Sequence, residues 1–234
     1  MKPPKTPPFA PKMKHTLILP AGGTASRFGG QKLLAKLQKK TVIEHTLDAF
    51  SSFDCFHAII IPAHPTLLEK LNSLISVRSE KDKIKLIPGG ETRQESIQLG
   101  LDQCADCDYV WVHDAARPNP SHKLIQQLLN LSQKHPAIIP CISVTDSIKE
   151  VFNKKIIAHP ERQGLKAAQT PQVFQYSLLK KAYQNATRKT ATDDATLVSA
   201  YSEIHTCEGE ASNLKITAPI DLTLLELILD KNTA

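Results

Sequence analysis

Short apolar runs alternate with helical stretches over the first 140 residues of this 234-residue chain, and that rhythm narrows the fold more than any other feature. Leu17-Ile18-Leu19-Pro20, Ala58-Ile59-Ile60-Ile61-Pro62, Ile84-Lys85-Leu86-Ile87-Pro88, Tyr109-Val110-Trp111-Val112 and Ala137-Ile138-Ile139-Pro140 are short and mostly continuous, as strands covered on both faces must be. Between them lie helical patterns. The stretch 41–50 sets Ile43, Leu47 and Phe50 on one face, with Thr41 and Glu44 at capping-box spacing. Residues 65–75 carry Leu67, Leu68, Leu71, Leu74 and Ile75 as a stripe, Thr92 and Glu95 open a third capped helix, and a fourth spans 121–131. Strand and helix in strict alternation predict an α/β fold: a Rossmann-like, open, mostly parallel sheet with helices on both faces.

The rhythm changes after Ser143. Ile148, Val151, Ile156-Ile157 and Val173-Phe174 are strand-like but too polar in their surroundings for more parallel core, and Asn153-Lys154 reads as a turn. Residues 143–170 are therefore expected to form a protruding β-hairpin arm. An exposed strand pair needs a cover, so a second copy of the chain, in a homodimer, is the expected partner. Helices follow around 178–186 and 193–201, then a strand at Ile204–Cys207 and a last strand at Asn213–Thr217. The closing helix, 219–229, has Pro219 and Asp221 at its start, with Ile220, Leu224, Leu227 and Ile228 as the expected buried stripe. Residues 15–234 read as one domain. The first twelve residues hold five prolines and no apolar run, which argues against a secretory signal and for a disordered leader, 1–14.

A formal net charge of +6 is compatible with nucleic acid, but the Lys and Arg are scattered and only 5% of residues are aromatic, so stacking platforms are scarce. A small phosphorylated substrate explains the charge as well, and nucleic-acid binding is not expected. No apolar run approaches the ~20 residues of a membrane span. The five cysteines lack a framework of spacings, and Cys104-x-x-Cys107 stands without a second pair or paired histidines. Free thiols in a reducing cytoplasm are the expectation.

Candidate chemistry gathers where strands end. After Leu17–Pro20 comes Ala21-Gly22-Gly23-Thr24-Ala25-Ser26-Arg27-Phe28-Gly29-Gly30-Gln31-Lys32, which holds four of the nine glycines. Such a loop can turn its amides towards phosphate oxygens, and Arg27 and Lys32 would add fixed positive charge. A glycine-rich turn with two solvated cations is the plainer reading. The loop lacks the Gly-Lys pair of nucleotide-triphosphatase loops, and Ala25 breaks the dinucleotide fingerprint. Gly89-Gly90-Glu91 leads into the capped third helix, whose first turn offers the Ser96 hydroxyl. The fourth strand ends in His113-Asp114-Ala115-Ala116-Arg117-Pro118, where open α/β sheets bind ligands. There Asp114 could hold Mg²⁺, accept polyol hydroxyls or cap the loop, and Arg117 could clamp a phosphate or pair with Asp114. Lys215 is either a solvated charge or a group aimed at an anion.

Six stretches taken together resemble the 2-C-methyl-D-erythritol 4-phosphate cytidylyltransferase family. They are Pro20-Ala21-Gly22-Gly23 with Arg27 and Lys32, Gly89–Arg93 with Ser96, His113–Pro118, Asp146-Ser147-Ile148-Lys149, Thr170-Pro171-Gln172 and Asn213–Thr217, in the family's order. The chain departs from the family's opening loop at Gly22, Ala25, Phe28 and Leu33, and Ser147 stands for the usual threonine. The resemblance implies transfer of a cytidylyl group from CTP to the sugar phosphate, with Mg²⁺ held mainly by the CTP phosphates and no cluster of protein metal ligands. It implies Arg27, Lys32 and Lys215 as catalytic cations. Ala21, Gly22, Gly23, Gly90, Glu91, Ser96 and Ala115 would contact CTP, mostly by backbone. Asp114, Arg117, Ser147, Arg162 and Thr170 would bind the second substrate, those of the arm across a dimer interface. A phosphate monoester is largely dianionic at neutral pH, so such a reaction needs positioning and charge neutralisation rather than a general base. The rival readings are a cytidylyltransferase for ribitol 5-phosphate or another polyol phosphate, and a non-catalytic nucleotide-binding protein.

Overall fold

A computed structural model describes residues 13–22, 28, 31–186 and 191–231. In chain order the elements are β1 (His15–Ile18), β2 (Lys36–Leu37), β3 (Lys40–Thr41), α1 (Val42–Ser51), β4 (Phe56–Ala63), α2 (Leu68–Ser76), β5 (Ile84–Pro88), α3 (Arg93–Asp102), β6 (Tyr109–Val112), α4 (His122–Ser132) and β7 (Ala137–Ser143). Then come β8 (Glu150–Phe152), β9 (Lys155–Ala158), β10 (Lys166–Ala168), β11 (Gln172–Gln175), α5 (Tyr176–Gln184), α6 (Asp194–Val198), β12 (His205–Glu208) and α7 (Pro219–Lys231). Of the leader only Met13 and Lys14 are described, and Lys14 already belongs to the fold: its N–H donates to the Asp108 carboxylate at 2.8 Å.

The main sheet runs β10-β7-β11-β6-β1-β4-β5, with β12 also beside β7. Pairings β6–β1–β4–β5 are parallel, and β11 is antiparallel to both β6 and β7. From β1 the chain steps outward to β4 and β5, then crosses back to place β6 on the other side of β1. That reversal opens a crevice at the carboxyl ends of β1 and β6, the place where such sheets accept ligands.

Both faces of the sheet are apolar and period 2 divides them. Leu17, Ile59, Ile61, Trp111 and Val173 join one core, which α1, α2, α4 and the buried Leu225 of α7 cover. Ile18, Ile60, Val110, Val112 and Phe174 join the other, beneath α3, α5 and α6. The helix starts follow their side-chain chemistry. Thr41 with Glu44 and Thr92 with Glu95 form complete capping boxes, and Ser121 caps α4.

The arm is present as expected in its hairpin. β8 and β9 pair with each other only, and Asn153 and Lys154 between them have φ of 48° and 63°, the two left-handed residues of a tight hairpin turn. Its root is not arm at all. The chain returns through β10 to β11, where Val173 and Phe174 are fully buried between β6 and β7.

Two expectations are corrected. Asn213–Thr217 joins no strand: Asn213 stands in a bend and the four residues after it form no regular element. Its backbone meets the loop after β6 instead, with Ile216 N–H donating to Ala116 C=O at 2.8 Å, and the Asn213 side-chain amide donates to Thr170 C=O, just before β11, at 2.8 Å. In α7 the inward face is Leu222, Leu225, Ile228 and Leu229, so Ile228 alone of the expected stripe packs on the core, while Ile220 (61% exposed), Leu224 and Leu227 face out. Seven leucines and isoleucines surround this helix, so two stripes compete and packing, not periodicity, selects one.

Candidate active site

A cavity of about 280 Å³ opens at the reversal point of the sheet. Pro20, Ala21 and Gly22 line it from the end of β1, Asp114, Ala115 and Ala116 from the end of β6, and Glu91 and Arg93 from the start of α3. Lys32 and Leu33 close one side and Lys215 another. Gly23, expected at CTP, and Arg27, expected as a catalytic cation, lie outside the described residues, as do Ala25, Gly29 and Gly30.

The side of the cavity formed by Gly22 and Glu91 is built by close backbone approach, with Gly90 and Ser96, both expected at CTP, behind its lining. A Cβ on Gly90 would stand 2.4 Å from the Glu95 Cβ, and one on Gly22 would stand 2.8 Å from Ser96 Oγ, so neither position takes a larger residue without movement. The Ser96 side chain is fully buried and accepts from Gly90 N–H at 3.1 Å. It therefore braces the two glycine loops against one another. Glu95 accepts from the N–H groups of Glu91 (2.9 Å) and Thr92 (3.2 Å), which fixes the entry into α3 beside the cavity.

Asp114 is the electrostatic centre. Its carboxylate meets Lys215 Nζ at 2.8 Å, Arg117 Nε at 3.3 Å and Arg93 Nε at 3.5 Å. Burial alone would raise this carboxyl, but Lys215, Arg93 and Arg117 outweigh it and hold the group well below the ordinary carboxylate range. Burial lowers the Arg93 guanidinium, but Asp194 and Asp114 more than offset it and keep Arg93 charged. Lys215 is 40% exposed and is the one of Asp114's three cations best placed to turn towards an incoming anion. Lys32 Nζ donates to Ile216 C=O at 3.1 Å, tying the other expected catalytic lysine to the backbone beside Lys215.

Behind the cavity a hydrogen-bonded chain holds Asp114 in place. His113 Nε2 faces the Arg117 carbonyl at 2.8 Å, and a carbonyl only accepts, so Nε2 carries the hydrogen. Nδ1 then accepts from the Thr170 hydroxyl at 3.0 Å, and that hydroxyl accepts from Asp114 N–H at 3.0 Å. Complete burial pushes His113 down to about 4, consistent with a neutral ring. Arg117 spends its guanidinium on Asp114 and on Asn213 C=O at 2.8 Å. Thr170 and Arg117 thus position the loop from below, and neither lines the cavity.

Ser147 and Arg162 sit on the arm, exposed and away from the cavity of their own chain. Arg162 Nη1 donates to Thr145 C=O at 2.5 Å. Two residues at the site carry more than the sequence indicated: Arg93, first residue of α3 and in the cavity wall, and Asp194, its buried partner at 2.8 Å. A signal for Asp194 was available in Asp193-Asp194, because one carboxylate suffices to cap a helix and the second needs another reason.

Among the described residues no group of three or more His, Cys, Asp or Glu is placed to hold a metal ion. Asp114 and Glu91 are the carboxylates in the cavity wall. That donor set fits a hard ion that keeps several waters and arrives on substrate phosphates. Among the described residues no helix is long and apolar enough to cross a membrane.

The family model for 2-C-methyl-D-erythritol 4-phosphate cytidylyltransferase matches residues 15–231. A protein of that name from Bacillus pumilus is 34% identical over 224 residues, covering 93% of this chain and 98% of its own. The solved 2-C-methyl-D-erythritol 4-phosphate cytidylyltransferase of Thermus thermophilus has a TM-score of 0.73 at 29% identity, with 92% of this chain and 98% of that one covered. The 4-diphosphocytidyl-2C-methyl-D-erythritol synthase of Anaerococcus prevotii reaches 0.83 over 94% of this chain and 99% of that one; at 24% identity it shows the shared fold.

Proposed function

This chain belongs to the 2-C-methyl-D-erythritol 4-phosphate cytidylyltransferase family and transfers a cytidylyl group from CTP to that sugar phosphate, and from this premise we propose how its residues divide the work. A phosphate oxygen of the sugar phosphate attacks the α-phosphorus of CTP. The bond to the bridging oxygen of the β-phosphate breaks, and pyrophosphate leaves with the electron pair. The products are 4-diphosphocytidyl-2-C-methyl-D-erythritol and pyrophosphate, a step of non-mevalonate isoprenoid biosynthesis.

Lys32, Lys215 and Arg27 supply the positive charge this step needs on the α-phosphate and the leaving group. The observation that carries the reading is the Lys215–Asp114 pair at 2.8 Å in a cavity that Lys32 also lines. A lysine held in reserve by a carboxylate can transfer to a phosphoryl oxygen as charge arrives. Ala21, Gly22, Gly90 and Ala115 present backbone to the nucleotide, Ser96 keeps that backbone in register, and Glu91 borders it. Asp114 faces the polyol. Asp114 and Glu91, the carboxylates of the cavity wall, would border a Mg²⁺ ion held mainly by the CTP phosphates, and the ion when bound would supply charge neutralisation.

The arm supports a homodimer. Val151, Phe152 (64% exposed), Ile156 and Ile157 (57%) leave apolar side chains uncovered on β8 and β9. A second copy would cover them and bring Ser147 and Arg162 to the neighbouring cavity, where Arg162 can clamp the phosphate of the sugar phosphate. All five cysteines are free, which fits a reducing cytoplasm.

Pyrophosphate release with Mg²⁺ and CTP, offering 2-C-methyl-D-erythritol 4-phosphate and ribitol 5-phosphate in parallel, tests substrate choice. Turnover with the first alone is expected. Turnover with the second alone would overturn the assignment of the polyol side.

A further inference from the structure

Asp194 is the first residue of α6 and is fully buried. Helix capping does not account for it. Asp193 caps α6, accepting from Thr196 N–H at 3.0 Å, and its other oxygen accepts from the Gln172 amide at 3.0 Å. Both Asp194 oxygens are spent elsewhere: Oδ2 on Arg93 Nη2 at 2.8 Å and Oδ1 on the Tyr183 hydroxyl at 2.5 Å. Arg93 in turn reaches the cavity wall and stands 3.5 Å from Asp114, longer than the 2.8 Å contact of Lys215 with the same carboxylate.

A continuous chain of polar contacts therefore runs from α5 to the substrate cavity: the neutral Tyr183 hydroxyl, then Asp194, Arg93, Asp114 and Lys215 in alternating charge. Buried ion pairs are weak sources of stability because desolvation cancels most of the attraction. Their value lies in fixing geometry. Without Asp194, Arg93 would have one ion-pair carboxylate left among the described residues, Asp114, and would be drawn onto it.

We propose that Asp194, oriented by Tyr183, is a positioning residue for the second substrate, holding Arg93 back from Asp114 so that Asp114 remains open to the polyol and Lys215 remains exchangeable. The inference rests on Asp114 facing the polyol, the reading given above. A staple that merely joined α6 to α3 would affect both substrates and stability together. A positioning residue would affect the polyol phosphate selectively.

The test is Asp194→Asn in the full chain, checked first for a native circular dichroism spectrum and cooperative melting. The KM for 2-C-methyl-D-erythritol 4-phosphate should rise about tenfold, the fold-change expected when one member of a coupled charge network is removed. The Kd of Mg²⁺–CTP, titrated calorimetrically without the polyol phosphate, should stay within about twofold. An unchanged KM, or a KM and a CTP Kd that move together, would overturn the proposal. Where Asp194→Asn does not fold, Tyr183→Phe decides, since it keeps the ion pair. There a KM rise of about threefold with unchanged CTP affinity supports the proposal, and an unchanged KM defeats it. Asp114→Asn separates the two layers. If it leaves the KM for the polyol phosphate unaltered, the reading of Asp114 fails and the proposal fails with it. If it raises that KM while Asp194→Asn does not, the reading stands and only the positioning role is lost.

Discussion

Lys215 and Lys32 do different things before any substrate arrives, and variants should expose the difference. Lys215 is paired with a carboxylate, so Lys215→Ala removes a cation from the cavity and also leaves Asp114 with Arg93 and Arg117 alone. Lys32 donates to a carbonyl, so Lys32→Ala removes a cation with little effect on Asp114. Each should lower kcat by about a hundredfold or more, the usual scale for losing one preorganised charge at a phosphoryl or acyl transition state. Each should leave CTP affinity within about fivefold. Single-turnover pyrophosphate release measured beside equilibrium CTP binding checks this; a full-rate Lys32→Ala enzyme would remove that residue from the chemistry. Much of the cavity was readable from motifs taken together rather than residue by residue, because the Gly-Gly pairs, Asp114 and Lys215 each have a plain structural use when taken alone. Arg93 and Asp194 were harder, because their contact spans 101 positions of sequence, and the doubled Asp193-Asp194 hints at a second acid without saying which residue it meets.

At the scale of elements, what could be read depended on whether local chemistry had a single solution. The capping boxes at Thr41 and Thr92 satisfy orphan N–H groups within one turn, and both formed as their spacing predicts. Asn213–Thr217 had a strand-like composition, yet its amides had better use in closing the loop after β6, which brings Lys215 to Asp114. In α7 the apolar residues were too many to define a face. The arm makes its own prediction here. β8 and β9 form an isolated two-stranded sheet with apolar residues outward, an arrangement marginal in water unless covered. Phe152→Asp with Ile157→Asp should shift a dimer to monomer in sedimentation velocity and raise the KM for the polyol phosphate, because Arg162 would no longer reach a neighbouring site. CTP affinity should hold. Monomeric wild-type protein with full activity would exclude the shared site.

For the molecule as a whole, the two ends of β6 respond to acid in the same direction. At the amino end His15 Nδ1 accepts from the Trp111 indole at 2.8 Å, and at the carboxyl end His113 Nδ1 accepts from Thr170. Protonating either ring would sacrifice its bond inside the core. Burial accordingly pushes both histidines from 6.5 down to about 4. In the unfolded chain both take up protons near pH 6.5, whereas the folded chain refuses them until about 4, so the unfolded state binds more protons throughout that interval. Their contribution to stability is complete above pH 6.5 and is lost progressively as pH falls to about 4, on the order of a few kcal/mol for each histidine. Below about pH 4 the Asp114 carboxylate adds to the loss, since its folded-state value is depressed by Lys215, Arg93 and Arg117 and protonation breaks up that cluster. The melting temperature should therefore hold steady from pH 8 to 6.5, fall through the interval to 4, and fall further beneath it. Trp111 is the sole tryptophan and is fully buried against His15, so its fluorescence reports the amino end of β6 directly. His113→Gln should flatten the upper part of the acid limb while leaving the Trp111 signal in its native form at pH 7. A melting temperature equal at pH 7 and pH 5 in the wild-type protein would show that neither buried ring resists protonation, and His113 Nδ1 would then donate to the Thr170 hydroxyl rather than accept from it.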